Sequence, residues 1–531
     1  MNNLMPTGFH AMVASPHYLA TQIGSRILQQ GGNAYDAAVA ISAALAVVYP
    51  HMTGLGGDAF FLMYDARSKK VEALNGSGRA AGQATPEAFR KRGLQAIPHR
   101  GVLSAITVPG MVDAWWEVSS KRGRLPWEQL LSPALQFAEN GFPISRDLAV
   151  WMVRDEPLLR RSVSMARTFL HQGRLKRQGE RLTQPELAAT LRILQTDGRD
   201  AFYNGRLMHS ITTSMAHDGG LLTEDDFRAH RSDWVEPIST TYRGNVIYQL
   251  PPNSQGFSAL MMMNMLERLN VSKLERHSAE FYHCMTEVVK KAFADRDCYL
   301  SDPAFVSIPL ERLLSKAYAS HLLNCIKLQP PHAGQHCSSA SGQDTAYAAV
   351  RDEEGNAVSF IQSLYFDFGS AYMPGTSGMI LQNRGSYFSM DSYHPNRLEP
   401  GKRTFHTLMP GMITREGKPF LLMGTQGGEG QPQTQLSIMT GVLDYGCSIQ
   451  EAIALPRWVY GRTWGEDSDK LRIENRGLDT EAQRLKLWGH DVELLPSWSG
   501  VAGQAQGIMI GEQGLLSGAA DPRGDGMAIG W

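Results

Sequence analysis

Residues Ala34 to Val48, AYDAAVAISAALAVV, are apolar on nearly every face and follow Gly32 and Asn33. They predict a helix buried on all sides rather than one lying on a surface. The next segment, TGLGGDAFFLMYDARSKKVEALNGSGRAA, predicts two strands, Ala59 to Tyr64 and Val71 to Leu74, joined by a charged turn and flanked by glycine-rich loops. From about Leu130 to Lys327 the apolar spacing is largely that of amphipathic helices, FYHCMTEVVKKAFADRDCYL among them. Residues 328 to 343, ending QPPHAGQHCSSASGQ, carry no apolar period and read as an exposed linker. Beyond it strands dominate: TAYAAVR, the turn DEEGN and AVSFIQS, then LMPGMIT, the turn REGK and PFLLMG. Thr345 is the first residue of the strand-rich side.

Turn positions set the expected pairing. If DEEGN closes a hairpin, residues whose numbers sum to about 708 face each other, which places Ser363 near Thr345. The same counting about REGK brings His406 and Thr407 near Gln426, just before the pair Gly427 and Gly428. Each hairpin then presents hydroxyl groups at one end, the second beside a double glycine able to expose backbone N–H groups.

Composition narrows the classes of function. A chain of 531 residues exceeds one ordinary hydrophobic core, so a large domain or a few intimately packed ones are expected. Lys plus Arg number 51 against 52 for Asp plus Glu, a formal net charge of -1, which leaves no footprint for nucleic acid or an acidic membrane. A small diffusible partner fits better. The start, MNNLMPTGFHAMVASPHYLA, lacks a basic stretch followed by an apolar core, and the run Ala37 to Tyr49 is too short to cross a bilayer. Five cysteines without C-x-x-C fit reduced thiols. The expectation is a soluble, cytoplasmic protein that needs no cofactor and no metal.

No G-x-S-x-G, H-E-x-x-H, S-x-x-K or G-x-x-x-x-G-K-[ST] occurs, which removes the commonest hydrolase and P-loop readings. GTQGGEG (424 to 430) and GLGGD (54 to 58) read on their own as tight turns, His332, His336 and Cys337 as linker composition, and Arg523-Gly524-Asp525 as a surface turn. Thr345 carries the more specific chemistry. A threonine hydroxyl needs a base, and neither histidine nor lysine lies near it in sequence. A free α-amine on the same residue, with a pKa of about 7.7 to 8.0, would serve once the Asp344–Thr345 bond is cut.

Taken in order, GGNAYDAAVAISAALAVV, TGLGGDAFFLMYD, VPGMVDAWWE, RLPWEQLLSPALQFAENGFP, LPPNSQGFSALMMMNMLE, FADRDCYLSDPAFV, DTAYAAVRDEEGNAVS, KRTFHTLMP and GTQGG resemble the γ-glutamyltranspeptidase family of N-terminal nucleophile hydrolases over essentially the whole chain. The resemblance implies an α+β fold, a four-layer αββα sandwich made as one precursor that cleaves itself before a threonine. The large chain would be residues 1–344 and the small chain 345–531, one packed unit with a higher oligomer left open. By the same resemblance Asp344 and Thr345 flank the cut and Thr345 is the nucleophile. Gly427 and Gly428 form the oxyanion hole, and Ser363 stands beside the nucleophile. Arg79 and Thr407 match ligands of the substrate carboxylate.

Four positions depart from the family pattern. Tyr387 stands where an aspartate reads the substrate α-amine, Tyr365 replaces an asparagine, Arg384 a glutamine, and His406 the first serine of a pair. Arg384, Tyr387, Tyr365 and His406 are therefore candidate substrate-binding residues of altered character. The segment Ser389 to Lys402 is shorter than the family's lid region. The leading expectation is a γ-glutamyl hydrolase or transferase acting on glutathione-like amides through Thr345. The alternatives are a glutaryl-type amide acylase of the same fold, and an unprocessed homologue that serves as a binding protein.

Overall fold

Strict alternation along the strands divides the apolar residues among three cores and so sets the layers. The computed structural model describes residues 5–326, 344–461 and 468–531. The linker, with His332, His336 and Cys337, lies outside the described residues. One seven-stranded sheet has the order Met527–Gly530, Met12–Ser15, Asp344–Arg351, Ala357–Tyr365, Asp58–Asp65, Lys70–Gly76, Asp233–Val235, each neighbouring pair antiparallel. The other, also of seven antiparallel strands, runs Thr7–Gly8, Leu516–Ala520, Ala505–Ile510, Lys418–Thr425, Gly411–Arg415, Asn245–Gln249, Ile238–Tyr242. Both sheets mix strands from either side of Thr345.

Phe60, Leu62, Tyr347 and Ala349 of the first sheet meet Met412, Leu422 and Ile508 of the second in a core between the sheets. Their sequence neighbours point the other way, as a period of two requires. Phe61, Met63, Ala346 and Ala348 join a core with the helices of the amino-terminal part. Ile413, Leu421 and Met423 join another with the helices Gly256–Leu266, Ala279–Tyr299 and Gln431–Leu443. The result is the expected αββα sandwich. Close approach of the sheets needs Gly424, where a Cβ would lie 2.1 Å from the Tyr347 ring.

The helix Ala34–Val48 forms over the expected residues, and all fifteen are buried. Asn33 caps it, accepting from Tyr35 N and Asp36 N, while Asp36 returns a bond to the Asn33 N–H. The stretch expected to be mainly helical also supplies the strands Asp233–Val235, Ile238–Tyr242 and Asn245–Gln249. ISTTY and NVIYQ are β-branched and short, and the turn between them uses Arg243 and Gly244 at positive φ, 49° and 78°. Helical neighbours on both sides masked that signal.

Arg523-Gly524-Asp525 is not a surface motif in this fold. The Arg523 side chain is fully buried, donating from Nε to Glu474 at 2.7 Å and from Nη1 to Asp521 at 3.0 Å, while Arg457 donates to Asp521 at 2.8 Å. A turn tripeptide thus supplies the cation of an internal ion network, which the local sequence does not announce. Removing one partner strands a buried charge. Arg523→Met is expected to lower the unfolding free energy by about 3–5 kcal/mol, read by urea denaturation. A change below ~1 kcal/mol would contradict the network's role.

Candidate active site

The ladder between Asp344–Arg351 and Ala357–Tyr365 pairs Asp344 with Tyr365 and Ala346 with Gln362. Thr345 therefore stands opposite a bulge formed by Ser363 and Leu364, near Ser363 as the counting about DEEGN anticipates. It is wholly buried. The Ser363 hydroxyl accepts from Tyr365 N at 2.7 Å, and Tyr365 itself holds a positive φ of 86°. Strained backbone of this kind persists only where the surroundings enforce it. GLGGD is part of that enforcement: a Cβ on Gly57 would lie 2.3 Å from Ser363 O, so glycine lets this loop close onto the strand beside Thr345.

Across the sheet interface, Gln431 Nε2 donates to Thr345 Oγ1 at 3.4 Å. Gln431 opens the helix Gln431–Leu443, directly after a turn in which Gly427 and Gly428 have φ of 112° and 53° and Gly430 N donates to Gly427 O at 2.7 Å. Successive left-handed glycines ahead of a helix turn backbone N–H groups outward, an arrangement suited to an anion. The turn is braced from the amino-terminal part of the chain. Gln255 Nε2 donates to Gly428 O and to Thr407 O, both at 2.9 Å, and Gln255 Oε1 accepts from Arg296 at 3.2 Å. Arg296 also pairs with Glu429 at 2.6 Å. The REGK hairpin stops at Gly411 opposite Met423, so Gln255 rather than strand pairing links Thr407 to the glycine turn. Gln255, Arg296, Glu429 and Gln431 were not singled out from the sequence; the only cue was the proximity of the last two to the double glycine.

Aromatic and cationic groups form one wall. The Arg384 guanidinium is fully buried, lies 4.1 Å from the Tyr365 ring centroid, and donates from Nη1 to Thr407 Oγ1 at 3.2 Å. Its Nε and Nη2 have no hydrogen-bond partner among the described residues. Burial lowers its pKa to about 10, so it stays cationic at neutral pH. Tyr387 stacks on Phe405 with centroids 4.4 Å apart, lies 5.4 Å from Tyr365, and donates its hydroxyl to Glu429.

His406 faces away toward Asp58. Leu408 N donates to its Nδ1 at 3.4 Å, which makes Nε2 the protonated nitrogen, and that nitrogen lies 3.1 Å from Asp58 Oδ2. Burial, then Arg384 and Arg403, hold the imidazole far below its usual pKa and therefore neutral. Asp58 also accepts from Gln382 Nε2 at 2.9 Å and from Gly78 N and Gly110 N.

Arg79 directs its partly exposed guanidinium elsewhere, to Asp233 at 3.4 Å and Asp302 at 3.5 Å. Two carboxylates of the protein itself occupy the arginine matched to substrate recognition.

Metal-ligating side chains come together at His283, Glu287 and His490, whose ligand atoms lie within 4.8 Å of one another. His283 and His490 share a hydrogen bond at 2.7 Å and Glu287 pairs with Lys290 at 2.7 Å, contacts that account for the group without an ion. Among the described residues no helix is long and apolar enough to cross a membrane.

A buried threonine opposite a sheet bulge, facing a glycine turn across two stacked antiparallel sheets, fits the N-terminal nucleophile hydrolase class. Residues 20–531 match the family Gamma-glutamyltranspeptidase, and the chain belongs to that family. It is 52% identical to the Glutathione hydrolase-like YwrD proenzyme of Bacillus subtilis (strain 168), covering 98% of this chain and 99% of the relative. It is 38% identical to the Oxamate amidohydrolase proenzyme of Klebsiella pneumoniae, covering 98% of each. Cephalosporin acylase from Bacillus halodurans superposes over 100% of this chain and 97% of its own with a TM-score of 0.91 at 36% identity.

Burial raises the Asp58 pKa to about 6, against the effect of Arg384, Gln382 and the two backbone donors. The folded chain thus holds a proton that the unfolded chain sheds near pH 4. That contribution to stability is complete below about pH 4 and lost as pH rises through 6. The unfolding free energy of the native protein relative to Asp58→Asn is expected to fall between pH 4 and 6 in buffered urea titrations. A flat difference would contradict this assignment.

Proposed function

We propose that the protein is a self-processing amide hydrolase, with transferase capacity, that uses Thr345 as its nucleophile on amides whose acyl part carries a carboxylate. The observation that carries this reading is the placement of Thr345 Oγ1 beside Gln431, at the mouth of the Gly427–Gly428 turn. Family membership and relatives named as proenzymes support it.

In the first event Thr345 Oγ attacks the Asp344 carbonyl and the C–N bond breaks. An ester forms, the hydroxyl proton passes to the departing α-amine, and water hydrolyses the ester. Chains of 344 and 187 residues result, held together by sheets that mix strands of both. In turnover the freed amine accepts the Oγ proton while Oγ attacks the substrate amide carbonyl. The N–H groups of Gly427 and Gly428 stabilise the oxyanion, and the amine hands its proton to the leaving nitrogen. Water, or an amine acceptor, then releases the acyl group. Ser363, in the bulge opposite Thr345, orients the nucleophile.

Two acyl classes fit this chemistry. γ-Glutamyl amides such as glutathione come first, on the strength of the family and of Thr407. Glutaryl-type amides come second, favoured by one observation: Tyr387, with its hydroxyl on Glu429, stands where the family pattern has an amine-binding aspartate.

Incubated native protein is expected to convert from one 58.6 kDa band to two on denaturing electrophoresis, the smaller beginning TAYAAV, whereas Thr345→Ala stays whole. Persistence of the single native band, or cleavage of Thr345→Ala at the same bond, would overturn the reading.

A further inference from the structure

We propose that the edge of Arg384 formed by Nε and Nη2, together with the Thr407 hydroxyl, is the subsite for the acyl-group carboxylate, and that the substrates are half-amides of unbranched diacids lacking an α-ammonium group. The proposal rests on Thr345 being the acylating residue. It takes the second of the two acyl classes proposed above, and so departs from the family-based ranking that puts γ-glutamyl amides first and from the expectation that Arg79 holds the carboxylate.

Three observations carry it. Nε and Nη2 of a guanidinium lie side by side on one edge, the edge that receives a carboxylate through two parallel hydrogen bonds. In Arg384 these are the two nitrogens without an acceptor among the described residues, while Nη1 is taken by Thr407 and the Tyr365 ring covers one face. A buried cation with idle donors is costly unless an anion completes it.

Next, among the described residues no carboxylate bonds that edge, although Asp58 attracts Arg384 through space. Asp58 is engaged by His406, Gln382 and two backbone N–H groups, and Glu429 by Arg296 and Tyr387. The same engagement leaves neither of these carboxylates free to read a substrate ammonium, and Arg384 would repel one. Finally, the wall is next to the chemistry. Tyr365, on which Arg384 packs, pairs directly across the ladder with Asp344, the residue joined to Thr345. Arg79, by contrast, is partly exposed and already has two carboxylates, Asp233 and Asp302.

The test uses the processed protein and two independent readouts, calorimetric binding of free glutarate and L-glutamate, and turnover of glutaryl- and γ-glutamyl-p-nitroanilide. Glutarate is expected to bind at least tenfold more tightly than L-glutamate, with the anilides ranked likewise in kcat/KM. Arg384→Gln is expected to weaken glutarate binding about a hundredfold, and Arg384→Lys to restore only part, since an ammonium cannot form the parallel pair. Undiminished glutarate binding in Arg384→Gln, no glutarate binding by the native protein, or preference for L-glutamate would each overturn the subsite. If Arg384→Gln does not fold, the native protein's ranking of the two diacids decides. Binding is measured without turnover, so loss of both anilide activities with Arg384-dependent glutarate binding would refute the acyl-enzyme reading alone.

Discussion

One extra residue in one strand governs the site. Because Asp344 pairs with Tyr365 and Ala346 with Gln362, the strand Ala357–Tyr365 carries its extra residue at Ser363 and Leu364, directly opposite Thr345, whose side chain alternates with that of Ala346 and meets the facing sheet. The facing sheet ends there in a left-handed glycine turn and a helix whose first side chain, Gln431, meets the threonine hydroxyl. The spacing between the two sheets is set by the core of Tyr347, Leu422 and their neighbours, and by the absence of a side chain at Gly424. Thr345 and the Gly427–Gly428 turn are thus placed by sheet packing, the arrangement that the proposed chemistry requires.

Electrostatic pairing then divides the buried charges into those that brace and one that is left over. Arg296 with Glu429 fixes the glycine turn through Gln255, His406 with Asp58 closes the floor, and Arg79 with Asp233 and Asp302 ties down the rim. Arg296 and Arg79 each have a carboxylate, and the neutral His406 donates to Asp58. Arg384 has a hydroxyl and an aromatic face instead. The polarity of this wall is the reverse of what an aspartate at position 387 would create.

Short-range features were legible in the sequence and long-range ones were not. The helix Ala34–Val48 could be read because every face is apolar and Asn33 marks its start. The register of Thr345 against Ser363 followed from a single turn, since hairpin counting needs only local information. The resemblance pointed to the glycine pair. Arg79 could not be assigned from its neighbours, because its partners Asp233 and Asp302 arrive from distant segments. Arg523 was misread for the same reason: a tripeptide in a turn looks exposed until Glu474 is known to face it. Arg384 stood out as a departure from the family pattern, but its burial and idle edge belong to the tertiary structure alone.

The central claim is that one residue serves as chain terminus, base and nucleophile. Acid-quenching the processed protein during turnover of an acyl anilide, followed by peptide mass analysis, tests it directly. The expected result is the mass of one acyl group, joined by an ester, on the peptide Thr345–Arg351. An unmodified Thr345–Arg351 peptide, with the acyl group on another residue of an active preparation, would contradict it.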